Sequence, residues 1–175
     1  MIVHVHFTCA ADYNERRLPY RPAHLAQLSG LRGDGRVVAG GPEPDGSAAH
    51  IFYQVGDLTA LERLLDDNVF QKAALFVRRE PRAFADFLPP LVPPPVDAGL
   101  PRTLVEGVPL DRQKARDGLL ALQGDARATF GGFFADGSAL AVLATPSAEE
   151  AMAWLGSAGG WDVRRLRGRA WSQTL

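Results

Sequence analysis

The chain has one cysteine, Cys9, in 175 residues. That excludes an internal disulfide framework and suits a reducing compartment, so a cytoplasmic location is expected. Long apolar runs are missing too. No stretch approaches the roughly 20 apolar residues of a membrane span, and MIVHVHF carries no basic leader, so no signal peptide is expected. A large charge of either sign is also absent: the formal net charge is −1, and no global field draws the molecule to nucleic acid or to an anionic membrane. Histidine is absent from the whole second half, because the four present are His4, His6, His24 and His50. With 46% hydrophobic and 22% charged residues, the composition fits a globular protein with one or two modest cores.

What the chain does contain is itself, twice. Shifted by 91 residues, Arg21–Phe70 lies over Arg112–Trp161 without a gap, and 14 of the 50 positions are identical. They include Gly33-Asp34-x-Arg36 against Gly124-Asp125-x-Arg127, Gly40-Gly41 against Gly131-Gly132, and Asp45-Gly46-Ser47-Ala48 against Asp136-Gly137-Ser138-Ala139. A period of that length is too long for a solenoid unit and right for a small domain. The proline-rich stretch from Leu88 resists helix and ladder pairing and reads as a semi-rigid connector. The expected organisation is a first repeat over 1–87, a linker over 88–103 and a second, degenerate repeat over 104–175.

Each half reads β-α-β-β-α-β. In the first, Ile2–Thr8 alternates as a strand. Arg21–Leu31 carries a leucine stripe with Pro22 in its first turn, and Gly33-Asp34-Gly35 stops that helix. Arg36–Gly40 and Ala48–Val55 are strands joined by a turn at Pro44–Ser47, Asp57 caps a helix from Leu58, and Leu75–Arg79 is the last strand. The second half gives a strand Thr103–Val108, a helix Leu110–Leu122, a hairpin at Asp136-Gly137 and a strand Ala139–Thr145. Ser147-x-x-Glu150 forms a capping box, and Val163–Ala170 closes the unit. The fold class expected is α+β: two ferredoxin-like repeats, each an antiparallel sheet with its helices on one face. A sheet bare on one side must be covered, so the repeats are expected to pack sheet-to-sheet as an internal pseudo-dimer, with further homodimerisation left open.

The segment Arg21-Pro-Ala-His24-Leu-x-x-Leu-x-x-Leu, followed by Gly35-Arg36-Val-Val-Ala-Gly-Gly-Pro42, resembles the YciI-like (YCII-related) family, which shows an R-x-x-H-L-x-x-L helix and then G-R-x-x-x-x-GP. Asp67-Asn68-Val-Phe-Gln-Lys-Ala-Ala-Leu-Phe76 is similar to that family's D-P-[FY]-x-x-A-G-[LV]-[FY] signature. The resemblance implies a dimeric α+β barrel and a site pairing His24 with a carboxylate of the second segment. Alignment on Lys72-Ala73 puts Asn68 at the family's aspartate and Val69 at its proline, so Asp67 serves only from a shifted backbone. In the second repeat Ala115 replaces the histidine. Val163-Arg-Arg165 aligns with Val77-Arg-Arg79 at offset 86, which implies some five residues lost from the loop that carries the signature.

The catalytic candidates are therefore His24 and Asp67. His24 would move a proton, because imidazole titrates near neutrality; its bland alternative is a helix-end histidine bonded to backbone or solvent. Arg21 would offset substrate charge, and Asn68 would orient the imidazole. His4 and His6 share one strand face, and His50 lies on a neighbouring strand of the same sheet. Three imidazoles there could hold Zn or Fe, but with no Asp or Glu at ligand spacing a metal-free, histidine-lined pocket is the preferred reading, and no metal or cofactor is assigned. Asp34, Asp125, Asp45 and Asp136 read as turn chemistry. The arginines at 165, 167 and 169 read as edge-strand protection. Two functions fit: a small-molecule lyase, isomerase or hydrolase using His24 in a cleft between the repeats, or a non-catalytic small-ligand-binding or accessory protein.

Overall fold

The computed structural model describes residues 1–92 and 99–175, so the linker expected over 88–103 falls partly outside the described residues. Two compact units emerge. The first holds Met1–Ala83 with Gly99 and Ser172–Leu175; the second holds residues 84–92 and Leu100–Trp171.

The first unit is organised by strand β1, Ile2–Cys9. Val3, Val5 and Phe7 are fully buried in the core with Leu28, Leu61, Leu65 and Phe70. Those four come from helices α2 (Arg21–Gly33), α3 (Leu58–Asp67) and α4 (Val69–Lys72). Period-two geometry then sends His4 and His6 to the other face. Strands β2 (Val37–Pro42) and β3 (Ala48–Gln54) complete the sheet with the first part of β4 (Phe76–Leu88), in the antiparallel order β2-β3-β1-β4. A short helix α1, Tyr13–Arg16, sits between β1 and α2. Local chemistry sets the helix ends. Asp57 accepts from Ala60 N at 2.7 Å, and Pro22 occupies the first turn of α2. Burying a leucine such as Leu61 or Leu65 stabilises by about 1.5–3 kcal/mol, which is why α3 holds its position.

The second unit contains the end of β4 with β5 (Leu100–Gly107), α5 (Arg112–Gly124), β6 (Ala128–Phe134), β7 (Ala139–Leu143), α6 (Ala148–Ala158) and β8 (Arg167–Gln173). Its strands run in the order β4-β6-β7-β5-β8. Only half of the expected capping box forms: Ser147 accepts from Glu150 N at 3.2 Å, but Ser147 N donates to Thr145 Oγ1 at 3.2 Å and the Glu150 carboxylate accepts from the Thr145 hydroxyl instead. Helices α2 and α5, strands β2 and β6, and strands β3 and β7 each begin 91 residues apart. The tight turns match in detail: Asp45 Oδ1 accepts from Ser47 N at 2.9 Å, Asp136 Oδ1 accepts from Ser138 N at 2.9 Å, and Gly46 and Gly137 have φ of 77° and 83°.

Three expectations about strands need correction. β4 does not end at Arg79 but runs to Leu88, because the ladder continues through Pro81, opposite Val5, at the loss of one N–H. Val163–Arg165 is a 3₁₀ turn capped by Asp162, whose side chain accepts from Arg164 N at 3.2 Å, and β8 starts only at Arg167. Since β8 begins 91 residues after β4, the offset of 86 was a chance match of Val-Arg-Arg, and no loop residues need be missing. The real length difference lies earlier. β5 starts 98 residues after β1, so the first half carries about seven extra residues between its first strand and α2, and they build α1.

Gly35 adopts φ 72°, while its positional equivalent Ala126 is forced to φ 58° just past α5. A non-glycine residue there costs about 1 kcal/mol. Ala126→Gly is therefore expected to stabilise the protein by about 0.5–1 kcal/mol, measured as a higher urea midpoint at constant m-value.

Candidate functional site

The first unit contains a cavity of about 320 Å³, within the size range of small-molecule sites. Its walls come from α1, α2, the end of β2, the middle of β3, the segment 70–76 and the C-terminal residues Ser172 and Thr174. All the lining residues belong to this unit.

His24 is the histidine of the pocket. It sits one turn into α2, only 7% exposed, with its ring stacked on Phe70 at 3.7 Å between centroids and 10° between planes. Phe76 meets it edge-on at 6.1 Å. Nδ1 is buried and has no hydrogen-bond partner among the described residues, which leaves Nε2 as the ring nitrogen available to a guest. Desolvation lowers the pKa of His24 from 6.5 to about 3, because water no longer stabilises the imidazolium. The ring is neutral at physiological pH.

Two guanidinium side chains, Arg17 and Arg21, line the same cavity, with Tyr13 beside them. Arg17 lies over the Tyr13 ring at 5.1 Å, and burial raises the Tyr13 hydroxyl pKa, keeping it protonated. No carboxylate lines the pocket among the described residues. The opposite wall is apolar: Leu25, Leu28, Ile51, Phe70 and Phe76.

Asp67 is not part of this arrangement. It is exposed, pairs with Lys72 Nζ at 2.9 Å, and borders a separate shallow groove with Asp34, Arg36 and Arg63. Nor does Asn68 orient the imidazole: it is buried as the cap of α4, where Oδ1 accepts from Phe70 N at 2.9 Å and Gln71 N at 3.3 Å. The segment is tied to α2 through Gln27, which donates to Asp67 O at 2.8 Å and accepts from Val69 N at 3.0 Å. The family's histidine–carboxylate pair is thus not formed here. A cap needs its side chain turned onto its own backbone, so Asn68 cannot also reach His24. Cys9, buried beneath the site, has its thiol pushed up to about 12 by burial and is no nucleophile.

Sequence reasoning missed Tyr13, Arg17, Ser172 and Thr174. The first two lie in the extra segment that has no counterpart in the other half, and the offset between β1 and β5 was the available signal. The last two arrive by a close approach. A Cβ on Gly41 would stand 1.9 Å from Ser172 O, and Thr174 N donates to Gly40 O at 2.9 Å. The tail closes the pocket only because position 41 has no side chain. In the second unit the histidine position is Ala115, and Trp161 takes the place corresponding to Phe70; both are buried in the core with Leu166.

His4, His6 and His50 lie outside this pocket, on the opposite face of the sheet, where they do come together. His4 Nε2 and His50 Nδ1 are 3.0 Å apart, and His6 packs 5.1 Å from His50 between ring centroids. Two carboxylates join them, against expectation: Glu43 Oε1 is 3.1 Å from His50 Nε2, and Glu80 Oε2 is 3.1 Å from His6 Nδ1. Glu43 follows β2 and Glu80 lies on β4, so only strand register brings them near.

No protein-family model matches the chain, and no curated protein matches its sequence. Solved structures do match its fold. A candidate monooxygenase from Lactobacillus acidophilus aligns over 99% of this chain and 94% of its own length, with TM-score 0.63 and 11% identity. One from Fusobacterium nucleatum aligns over 99% and 92%, with TM-score 0.62 and 9% identity. These neighbours are of the dimeric α+β barrel type, and the likeness is one of fold. A 5-chloro-2-hydroxyhydroquinone dehydrochlorinase from Burkholderia phenoliruptrix, in complex with 2,5-dihydroxybenzoquinone, aligns over 48% of this chain and 93% of its own, with TM-score 0.43 and 18% identity. No helix among the described residues is long and apolar enough to cross a membrane.

Two predictions follow from the burial of His24 and from the tail. A buried histidine with a lowered pKa stabilises the fold fully above 6.5, and that stability is lost as pH falls toward about 3, since only the unfolded chain takes up the proton. The stability of the native protein relative to His24→Leu should therefore fall by up to about 2 kcal/mol between neutrality and pH 5 in urea titrations at each pH. Gly41→Ala should expel the tail: an overpacking loss of about 1–3 kcal/mol, with faster release of Leu175 by carboxypeptidase.

Proposed function

We propose that the first unit takes up a small, flat, anionic molecule, aromatic or quinonoid in character, and that His24 exchanges a proton with it as a lyase, isomerase or hydrolase would. The single observation behind this reading is a pocket in which two guanidinium side chains, a neutral buried imidazole and an aromatic wall come together. An anion bound in the pocket places negative charge beside His24 and raises its pKa toward the working range, so the ligand itself switches the base on. The guanidiniums hold the anionic group, Tyr13 offers a hydroxyl, and Phe70 fixes the imidazole plane.

The resemblance to the YciI-like family supports the choice of His24. In this reading the chain is a tandem pair of ferredoxin-like repeats, an internal pseudo-dimer in which the first copy keeps the site and the second has been filled by Trp161. The matching element positions and the paired Asp-Gly-Ser turns support that origin.

A second reading, a non-catalytic binding protein, is favoured by one observation: Asp67 faces solvent, and His24 Nδ1 has no hydrogen-bond partner among the described residues to hold it as a base. Thermal-shift and NMR titrations separate the readings. Benzoate and salicylate should bind and benzamide should not. Arg17→Gln and Arg21→Gln should each weaken binding at least tenfold, and the His24 imidazole pKa should rise by a unit or more on saturation. Equal binding of benzamide would remove the anionic specificity, and an unmoved His24 pKa would leave the binding-only reading.

A further inference from the structure

The face of the sheet opposite the pocket carries the second constellation. His6 on β1, His50 on β3 and Glu43 just beyond β2 bring one donor atom each to within 4.8 Å of one another. Their elements are neighbours in the order β2-β3-β1, and His6 stands directly opposite His50 in the ladder. We propose that these three residues bind one divalent transition-metal ion, with zinc best suited to the set.

The donor chemistry carries the argument. Two imidazoles and one carboxylate make a borderline set that favours zinc or iron over calcium and magnesium, and three protein ligands leave a position for water. The geometry is close to ready. Two donors on an ion with bonds near 2.1 Å stand about 3.0–3.4 Å apart, and His50 Nε2 and Glu43 Oε1 already stand 3.1 Å apart. The remaining adjustment falls on His6, whose side chain is 25% exposed and can turn, while that of His50 is 3% exposed and fixed.

Both histidines have outer partners of the kind that orient metal ligands. His50 Nδ1 meets His4 Nε2 at 3.0 Å, with the rings stacked at 5.2 Å and nearly parallel. His6 Nδ1 is engaged by Glu80 at 3.1 Å, which directs its Nε2 to the ion. Glu80 is in turn held by Arg78 at 2.8 Å. Without metal, His50 donates at Nε2 to Glu43 and accepts at Nδ1. With the ion on Nε2 the tautomer reverses, and Nδ1 donates to His4. Glu43 supplies negative charge, so the loaded site retains a net positive charge of one, with its outer partner Glu80 close by. The second half has no histidine at all, so one ion per chain is expected.

The test uses the full chain, freed of metal by a chelator and purified without a histidine tag, titrated with Zn²⁺ and with Co²⁺ as the spectroscopic substitute. One equivalent should bind, raise the melting temperature, and with Co²⁺ give ligand-field bands of a low-coordinate site. Glu43→Gln keeps the hydrogen bond to His50 and so preserves the fold, yet should weaken binding at least tenfold; His6→Ala should do the same. Glu80→Gln should weaken it less, and Asp12→Asn, an exposed carboxylate elsewhere in the unit, not at all. Absence of stoichiometric uptake, or equal affinity in Glu43→Gln, His6→Ala and the native chain, would overturn the assignment. Ligand binding in the His24 pocket is read independently, so either result can fail without the other.

Discussion

Period-two alternation along β1 is the constraint from which the first unit is built. Val3, Val5 and Phe7 must face the helices, since only there can that apolar surface leave water. His4 and His6 are then obliged to point the other way. One strand thus separates two chemistries: an apolar floor beneath the helices, against which a guest-binding cavity can form, and a polar cluster on the reverse face. Slipping the register by one residue would bury the imidazoles among leucines and place the valines against Glu43 and Glu80. The pairing of β1 with both β3 and β4 prevents it.

His24 shows how packing sets chemistry. A histidine in water titrates near 6.5; buried in the first turn of α2 and stacked on Phe70, His24 holds no proton until about 3. That makes it a weak base in the empty pocket and a responsive one beside an anion. In the second unit Ala115 and Trp161 are both buried in a continuous apolar core.

Several elements were legible from local chemistry alone. Asp57, Ser147 and Pro22 mark helix starts because each satisfies or removes an N–H that the first turn leaves open. The Asp-Gly-Ser turns repeat because left-handed backbone selects glycine and a short carboxylate closes the loop. Misjudgement came where a local rule was overridden by pairing. Pro81 did not end β4, since a ladder tolerates one missing N–H when its neighbours are held. Val163-Arg-Arg165 looked like Val77-Arg-Arg79 yet became a 3₁₀ turn once Asp162 capped it. The dyad of His24 with Asp67 failed for a similar reason: the adjacent Asn68 was needed to cap α4, and Asp67 was left facing water.

Residue order by itself determined the β-α-β-β-α-β succession in each half, the turns, the caps, and the restriction of imidazole chemistry to the first half, because each depends on neighbours a few positions apart. Only the tertiary structure decided what lies near what. It folded the last four residues against Gly40 and Gly41 to close a cavity, brought Tyr13 and Arg17 from an extra short helix to its mouth, and carried Glu43 and Glu80 to the histidines across strand register. Such meetings join residues tens of positions apart, and their distances are set by strand pairing and close packing rather than by any local preference of the chain.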